Sequence, residues 1–248
     1  MSVSINISSL TKRYKNTEIN AVDNISLAIN KGEVFGLLGP NGAGKTTTIS
    51  ILCSLLKATS GTVEIMGKNL ATDLYEIRSK IGMVPQDIAL YPNLTAMENL
   101  NFFGRMYGID AKVLTERKKE LLHVFGLSEK AHQRIATFSG GMKRRINLIT
   151  GILHMPKILF LDEPTVGIDV QSRTVIMDYL MTLMDNDMTI VYTSHHMEEA
   201  EKYCSRVAII DMGRVIENGA PKELIHRYSE CNNLEDIFLE ITGRSLRD

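Results

Sequence analysis

The stretch GPNGAGKTT, Gly39 to Thr47, decides how the rest of the chain is read. It satisfies G-x-x-x-x-G-K-[ST] and stands between the apolar run VFGLL and a segment with helical character. Glycines let backbone N–H groups wrap closely around phosphate oxygens, and the N-terminus of the following helix adds partial positive charge. Gly39, Pro40, Asn41, Gly42, Ala43 and Gly44 therefore form a candidate phosphate loop that continues into Lys45, Thr46 and Thr47. Lys45 is expected to reach β- and γ-phosphates, and the Thr46 hydroxyl to sit on Mg²⁺. The competing reading is a plain glycine-rich turn; the strand and helix on either side favour the phosphate loop.

Outward from this loop, short apolar runs alternate with amphipathic segments. Val3 to Ile7, Ala21 to Ile29 and Glu33 to Leu38 read as strands, with Lys31-Gly32 as the turn between the last two. A helix is expected from Gly44 through Leu55, then a short strand over Thr62 to Ile65. Ile81 to Val84, Ile158 to Leu161, Thr189 to Thr193 and Val207 to Ile210 complete the pattern of a parallel sheet covered on both faces. Between Tyr91 and Phe138 only helical segments are found, around Ala96 to Tyr107 and Val113 to Phe125. The expectation is an α/β fold with a β-rich start and an inserted helical lobe.

Two further segments carry chemistry. In ILFLDEP a buried-strand run ends in Asp162, a candidate Mg²⁺ partner at the strand edge where α/β ligands sit. Glu163, one residue on, leaves the strand and can hold or deprotonate an attacking water. Alone, such a pair is often a solvated loop start; beside a phosphate loop it marks a candidate NTPase. In FSGGMKRR, Ser139 reads as a helix cap, and Gly140 and Gly141 behind it let a ligand approach the helix end, giving a second phosphate-shaped helix start. Against this stands an ordinary capped helix with a basic first turn.

Composition bounds these readings. The chain has 248 residues, 44% hydrophobic and 23% charged, the balance of an ordinary soluble globular protein of one or two units. Lys plus Arg is 28 and Asp plus Glu 29, and this near-neutral balance gives no support for a direct nucleic-acid partner. No apolar run approaches the ~18–20 residues of a membrane span, and the N-terminal stretch lacks the apolar core of a secretion signal. Cys53, Cys204 and Cys231 have no close pairing, so a reducing cytosol fits better than a disulfide framework or a CxxC site.

Taken in order, GPNGAGKTT, FSGGMKRR, ILFLDEP and TSHH resemble the ATP-binding-cassette ATPases, the nucleotide-binding subunits of ABC transporters. The resemblance runs from about Ile5 to Gly243. Through IGMVPQDIALYPNLTAMENLNFFGRMYG, HHMEEAEKYCSRVAIIDMGRVIENG and LEDIFLEITG it looks closest to prokaryotic export-type members, which move drugs, lipids or polysaccharides. It implies a P-loop NTPase core from about 1–90 and 155–230, with a β-rich N-terminal subdomain, a helical lobe over about 91–154 and a C-terminal helix over 231–248. It also implies an ATPase that uses ATP and Mg²⁺.

Residue by residue, the resemblance places Tyr14 against adenine, where an aromatic face suits stacking. A surface tyrosine at a strand end is the alternative. Gln86 resembles the glutamine that joins the Mg²⁺ shell on a loop linking core and lobe. His195 resembles the histidine that contacts the γ-phosphate; a metal site from His195, His196 and Glu199 competes but has no HExxH-type frame. Asp169 resembles an aspartate that crosses a dimer interface, with a loop-capping Asp as the alternative. Phe138 and Met142 depart from the commonest leucine-serine-glycine-glycine-glutamine signature, and a methionine cannot supply a glutamine amide's polar contacts. The implied assembly is head to tail, each ATP lying between one chain's Gly39–Thr47 loop and the Ser139–Gly141 helix start of the other, a second copy or a related ATPase subunit. A separate transmembrane permease is the expected partner, docked near Gln86 and Tyr91 and holding the chain on the cytoplasmic face of the membrane. The rival class is a soluble regulatory or nucleic-acid-linked ATPase of the same superfamily. LEDIFLEI has the apolar spacing of any docked terminal helix.

Overall fold

The computed structural model describes residues 2–184 and 187–243. The strand β1 (Val3–Arg13) pairs antiparallel with β2 (Asn20–Asn30) and with β4 (Ser60–Ile65), and β5 (Lys68–Asn69) closes this sheet in the order β2-β1-β4-β5. Six strands make the second sheet: β3 (Val34–Leu38), β6 (Ile81–Val84), β7 (Ile158–Asp162), β8 (Thr189–Ser194), β9 (Arg206–Asp211) and β10 (Arg214–Gly219), in the order β10-β9-β3-β8-β7-β6. All its pairings are parallel except β10 with β9.

Strands β3, β7 and β8 are buried along their whole length, as unbroken apolar runs covered on both faces should be. Successive side chains still sort by the two-residue period. Phe35, Leu37, Ile158 and Phe160 join the core under the antiparallel sheet with Ile5, Ile29 and the helix α1 (Lys45–Leu52). Val34, Leu38, Leu159 and Leu161 join the other core, which reaches out to Leu100, Leu114 and Phe125.

Helices α2 (Leu74–Arg78), α3 (Ala96–Met106), α4 (Ala111–Val124) and α5 (Gly140–Ile152) lie between β5 and β7; the last three follow β6. A capping box starts α3: the Thr95 hydroxyl accepts from Glu98 N at 3.1 Å, and Glu98 Oε2 accepts from Thr95 N at 2.8 Å. Buried Asn99 holds the loop ahead of it, accepting from Tyr91 N and donating to Tyr91 O and Thr95 O. The chain continues through α6 (Val170–Met184), α7 (Met197–Tyr203), α8 (Pro221–Arg227) and α9 (Leu234–Thr242).

Several expectations shift at their edges. β1 runs on to Arg13 rather than stopping at Ile7, because it serves two partners at once. α1 ends at Leu52 rather than Leu55, where Ser54 takes positive φ and closes a turn. The short β5 and the largely polar β10 carry no alternating apolar signal and escape a periodicity reading. Leu234, Ile237 and Phe238 of α9 are buried against the core, as a docked terminal helix requires; residues 244–248 of the expected C-terminal helix lie outside the described residues.

Candidate active site

Strands β3, β8, β7 and β6 are consecutive neighbours, and their carboxyl ends deliver Gly39–Thr47, His195, Asp162-Glu163 and Gln86 to one edge of the sheet. Register aligns them: Leu38 pairs with Ser194, and Thr193 with Asp162. At Gly39, φ is 151° and a Cβ would lie 2.1 Å from Ile210 O, so no other residue lets the loop turn here against β9. A cavity of about 220 Å³ opens between Ala21, Gly42, Thr46, Gln86 and Glu163.

Lys45 is buried and donates to Gly39 O at 2.9 Å and Pro40 O at 3.1 Å, which folds the loop around its own lysine. Its Nζ is also 3.4 Å from Glu163 Oε1. Burial lowers the Lys45 pKa, and the Glu163 carboxylate opposes that shift. Glu163 itself adopts φ 46°, a left-handed conformation rare for a non-glycine residue, held by a 2.9 Å bond from its N–H to Thr193 Oγ1. Its Oε1 is 3.3 Å from His195 Nδ1, and Gln86 Nε2 donates to its Oε2 at 3.1 Å. One carboxylate thus collects the lysine, the histidine and the glutamine that the sequence singled out separately.

Thr46 Oγ1 donates to Asp162 Oδ1 at 3.2 Å, and Thr193 Oγ1 donates to the same oxygen at 2.7 Å. Tyr14 is half-exposed, with its hydroxyl 3.2 Å from Thr47 Oγ1, so its ring stands beside the start of α1.

Ser139 caps α5, accepting from Met142 N at 3.3 Å. The two glycines behind it differ in surroundings. A Cβ at Gly141 would lie 2.2 Å from Ser172 Oγ, so this glycine is required by the contact with α6, whereas Gly140 has nothing nearer than Gly167 O at 3.8 Å. Asp169 accepts from Ser172 N and Ser172 Oγ at 2.8 and 2.9 Å, the capping arrangement the sequence held open. Ser139, Gly140 and Asp169 are exposed, and a Cβ at Gly141 would lie 3.0 Å from Asp169 Oδ2, so the start of α5 and this aspartate are neighbours.

Residues outside the sequence motifs tie these parts together. Arg144, buried one turn into α5, donates to Gln86 O, to Pro85 O at 3.4 Å and to Val166 O at 3.3 Å. Asn147, the next turn on, donates to Pro85 O and accepts from Ala89 N. Thr193 had a signal, a polar side chain inside a strand buried end to end, which requires an internal partner. The histidine metal reading is not supported: among the described residues no three His, Cys, Asp or Glu groups converge on a cation site.

A phosphate loop on one edge of a parallel sheet, with a carboxylate pair opposite, defines an NTPase of the P-loop class. The family model described as ABC transporter matches residues 22–166. The linearmycin-resistance ATP-binding protein LnrL of Bacillus subtilis is 50% identical over 206 residues, covering 83% of this chain and 66% of that protein. The Nod factor export ATP-binding protein I of Ralstonia nicotianae is 39% identical over 231 residues, 93% of this chain and 71% of its own. The chain thus spans about two thirds of the length of these curated relatives. Among solved structures, an ATP-binding cassette captured as a dimer after hydrolysis, with ADP and Pi, superposes with a TM-score of 0.80 at 29% identity, over 87% of this chain and 98% of that one. The chain belongs to the ABC transporter family, as an ATP-binding, ATP-hydrolysing cassette. Among the described residues no helix is long and apolar enough to cross a membrane.

Proposed function

We propose that this cassette drives export through a separate membrane permease, hydrolysing ATP at the Lys45–Glu163–His195 cluster. The observation that carries the hydrolytic reading is the placement of one buried carboxylate 3.4 Å from Lys45, 3.3 Å from His195 and 3.1 Å from Gln86. Gly39–Thr47 cradles the triphosphate, and its γ-phosphate oxygens compete with Glu163 for Lys45 Nζ. Glu163, so released, takes a proton from the attacking water, and His195 contacts the γ-phosphate. Tyr14 stacks on adenine.

The donors near the phosphates suit Mg²⁺: Thr46 Oγ1 and Asp162 Oδ1 are adjacent hard oxygens, and the Gln86 amide reaches the same cavity. Thr46, Asp162 and Gln86 would hold the ion, directly or through water, where it neutralises charge on the transferred phosphoryl group. A second surface, Ser139, Gly140, Gly141 and Asp169, faces the nucleotide of another cassette, a second copy or a related subunit. Export as the direction is supported by the names of the relatives, which describe resistance and export ATP-binding proteins. Docking on the permease would run through the Gln86 loop and the helices that follow Tyr91, as a lobe over about 91–154, and would hold the chain on the cytoplasmic face.

A mild-detergent pull-down of the tagged chain from its host, with mass spectrometry and an ATP turnover check, tests this reading. One polytopic membrane protein in fixed stoichiometry is expected. Recovery of ribosomes or DNA-bound proteins instead would overturn it.

A further inference from the structure

Glu199 is a buried carboxylate outside the hydrolytic cluster. Its Oε2 accepts hydrogen bonds from Thr165 Oγ1 at 2.8 Å and from Tyr192 OH, and its Oε1 lies 3.2 Å from Arg173 Nε. Glu199 itself lies on α7, and its three partners come from three other places: the loop after β7, strand β8 and the start of α6. His195 lies between Tyr192 and Glu199 in the chain, so the bond between those two closes the His195 loop on itself. Thr165 follows Glu163 by two residues, and Arg173 lies in the first turn after Asp169. A single carboxylate therefore fastens the histidine loop to the glutamate loop. Hydroxyl-to-carboxylate bonds are charge-assisted, and buried charge tolerates few other arrangements, so this node has one favoured geometry.

We infer that Glu199 is a positioning residue which, through Thr165 and Tyr192, sets the approach of His195 to Glu163; this rests on the hydrolytic roles proposed above for that pair. The triphosphate is held by Gly39–Thr47, which the node does not touch. Loosening the node therefore slows the chemical step and leaves ATP binding alone.

The test is steady-state hydrolysis of radiolabelled ATP by the full chain carrying Thr165→Val, Thr165→Ser, His195→Ala, or Thr165→Val with His195→Ala, each with a thermal melt. Thr165→Val is expected to lower kcat about tenfold with KM within about twofold, as displacement of a reacting pair by under ~1 Å does. Thr165→Ser, which keeps the hydroxyl, restores kcat. In the His195→Ala background Thr165→Val causes no further loss, because both changes act on one contact. A purely structural role would instead lower kcat only in step with the unfolded fraction, or multiply the two losses in the double variant; either result overturns the inference. So does an unchanged kcat in Thr165→Val while His195→Ala is slow, and that outcome leaves the proposed site standing. Wild-type turnover in His195→Ala would remove the site reading and the inference with it.

Discussion

At the scale of the residue, the site depends on burying charge only where each charge has partners. Lys45 and Glu163 are each 5% exposed, and an ion pair so buried contributes little net stability, since desolvation offsets most of the Coulomb gain. It places a cation and a carboxylate where phosphate oxygens can replace one half of the pair. The same physics acts at His154, whose ring stacks on Tyr107 at 3.8 Å and whose Nε2 is 2.9 Å from Ile81 O. Burial holds this imidazole below its ordinary value of 6.5. The unfolded chain then binds more protons than the folded one, so the stabilising contribution is present above pH 6.5 and lost as pH falls below it. Thermal melts from pH 8 to pH 5 should show His154→Gln losing stability less steeply than the wild type; identical slopes would refute the assignment.

At the scale of the element, helix ends determine what the apolar stripes cannot. The Thr95–Glu98 box fixes where α3 begins, and Thr95→Ala removes the bond to Glu98 N while keeping helix propensity. It should cost about 1 kcal/mol, or roughly 2–4 °C in Tm, with Thr95→Ser close to wild type. An unchanged melt would mean that packing alone sets the start of α3. The sequence pattern placed β3, β7 and β8 closely, because a strand buried on both faces reads as an unbroken apolar run. It shortened β1 and missed β10, since half-exposed and polar strands owe their pairing to neighbours rather than to their own periodicity.

At the scale of the whole molecule, function lies in what the topology gathers. GPNGAGKTT, ILFLDEP and SGG were legible because backbone geometry and local chemistry restrict those positions to few residue types. Arg144 and the Glu199 node were not, because each is defined by partners 22 to 59 residues away or on another element, and no local pattern encodes such a meeting; for Thr193 the buried strand signalled that a partner was needed, not that it would be Asp162. Asp169 shows the limit from the other side: in one chain it caps a turn, and its proposed role across an interface needs a second cassette. Sedimentation velocity of Glu163→Gln with and without ATP, with phosphate release followed on the same sample, tests that assembly most directly. Removing the base while keeping the amide in place should lower turnover by at least about a hundredfold and leave an ATP-dependent dimer that persists. Normal phosphate release, or a monomer at saturating ATP, would contradict it.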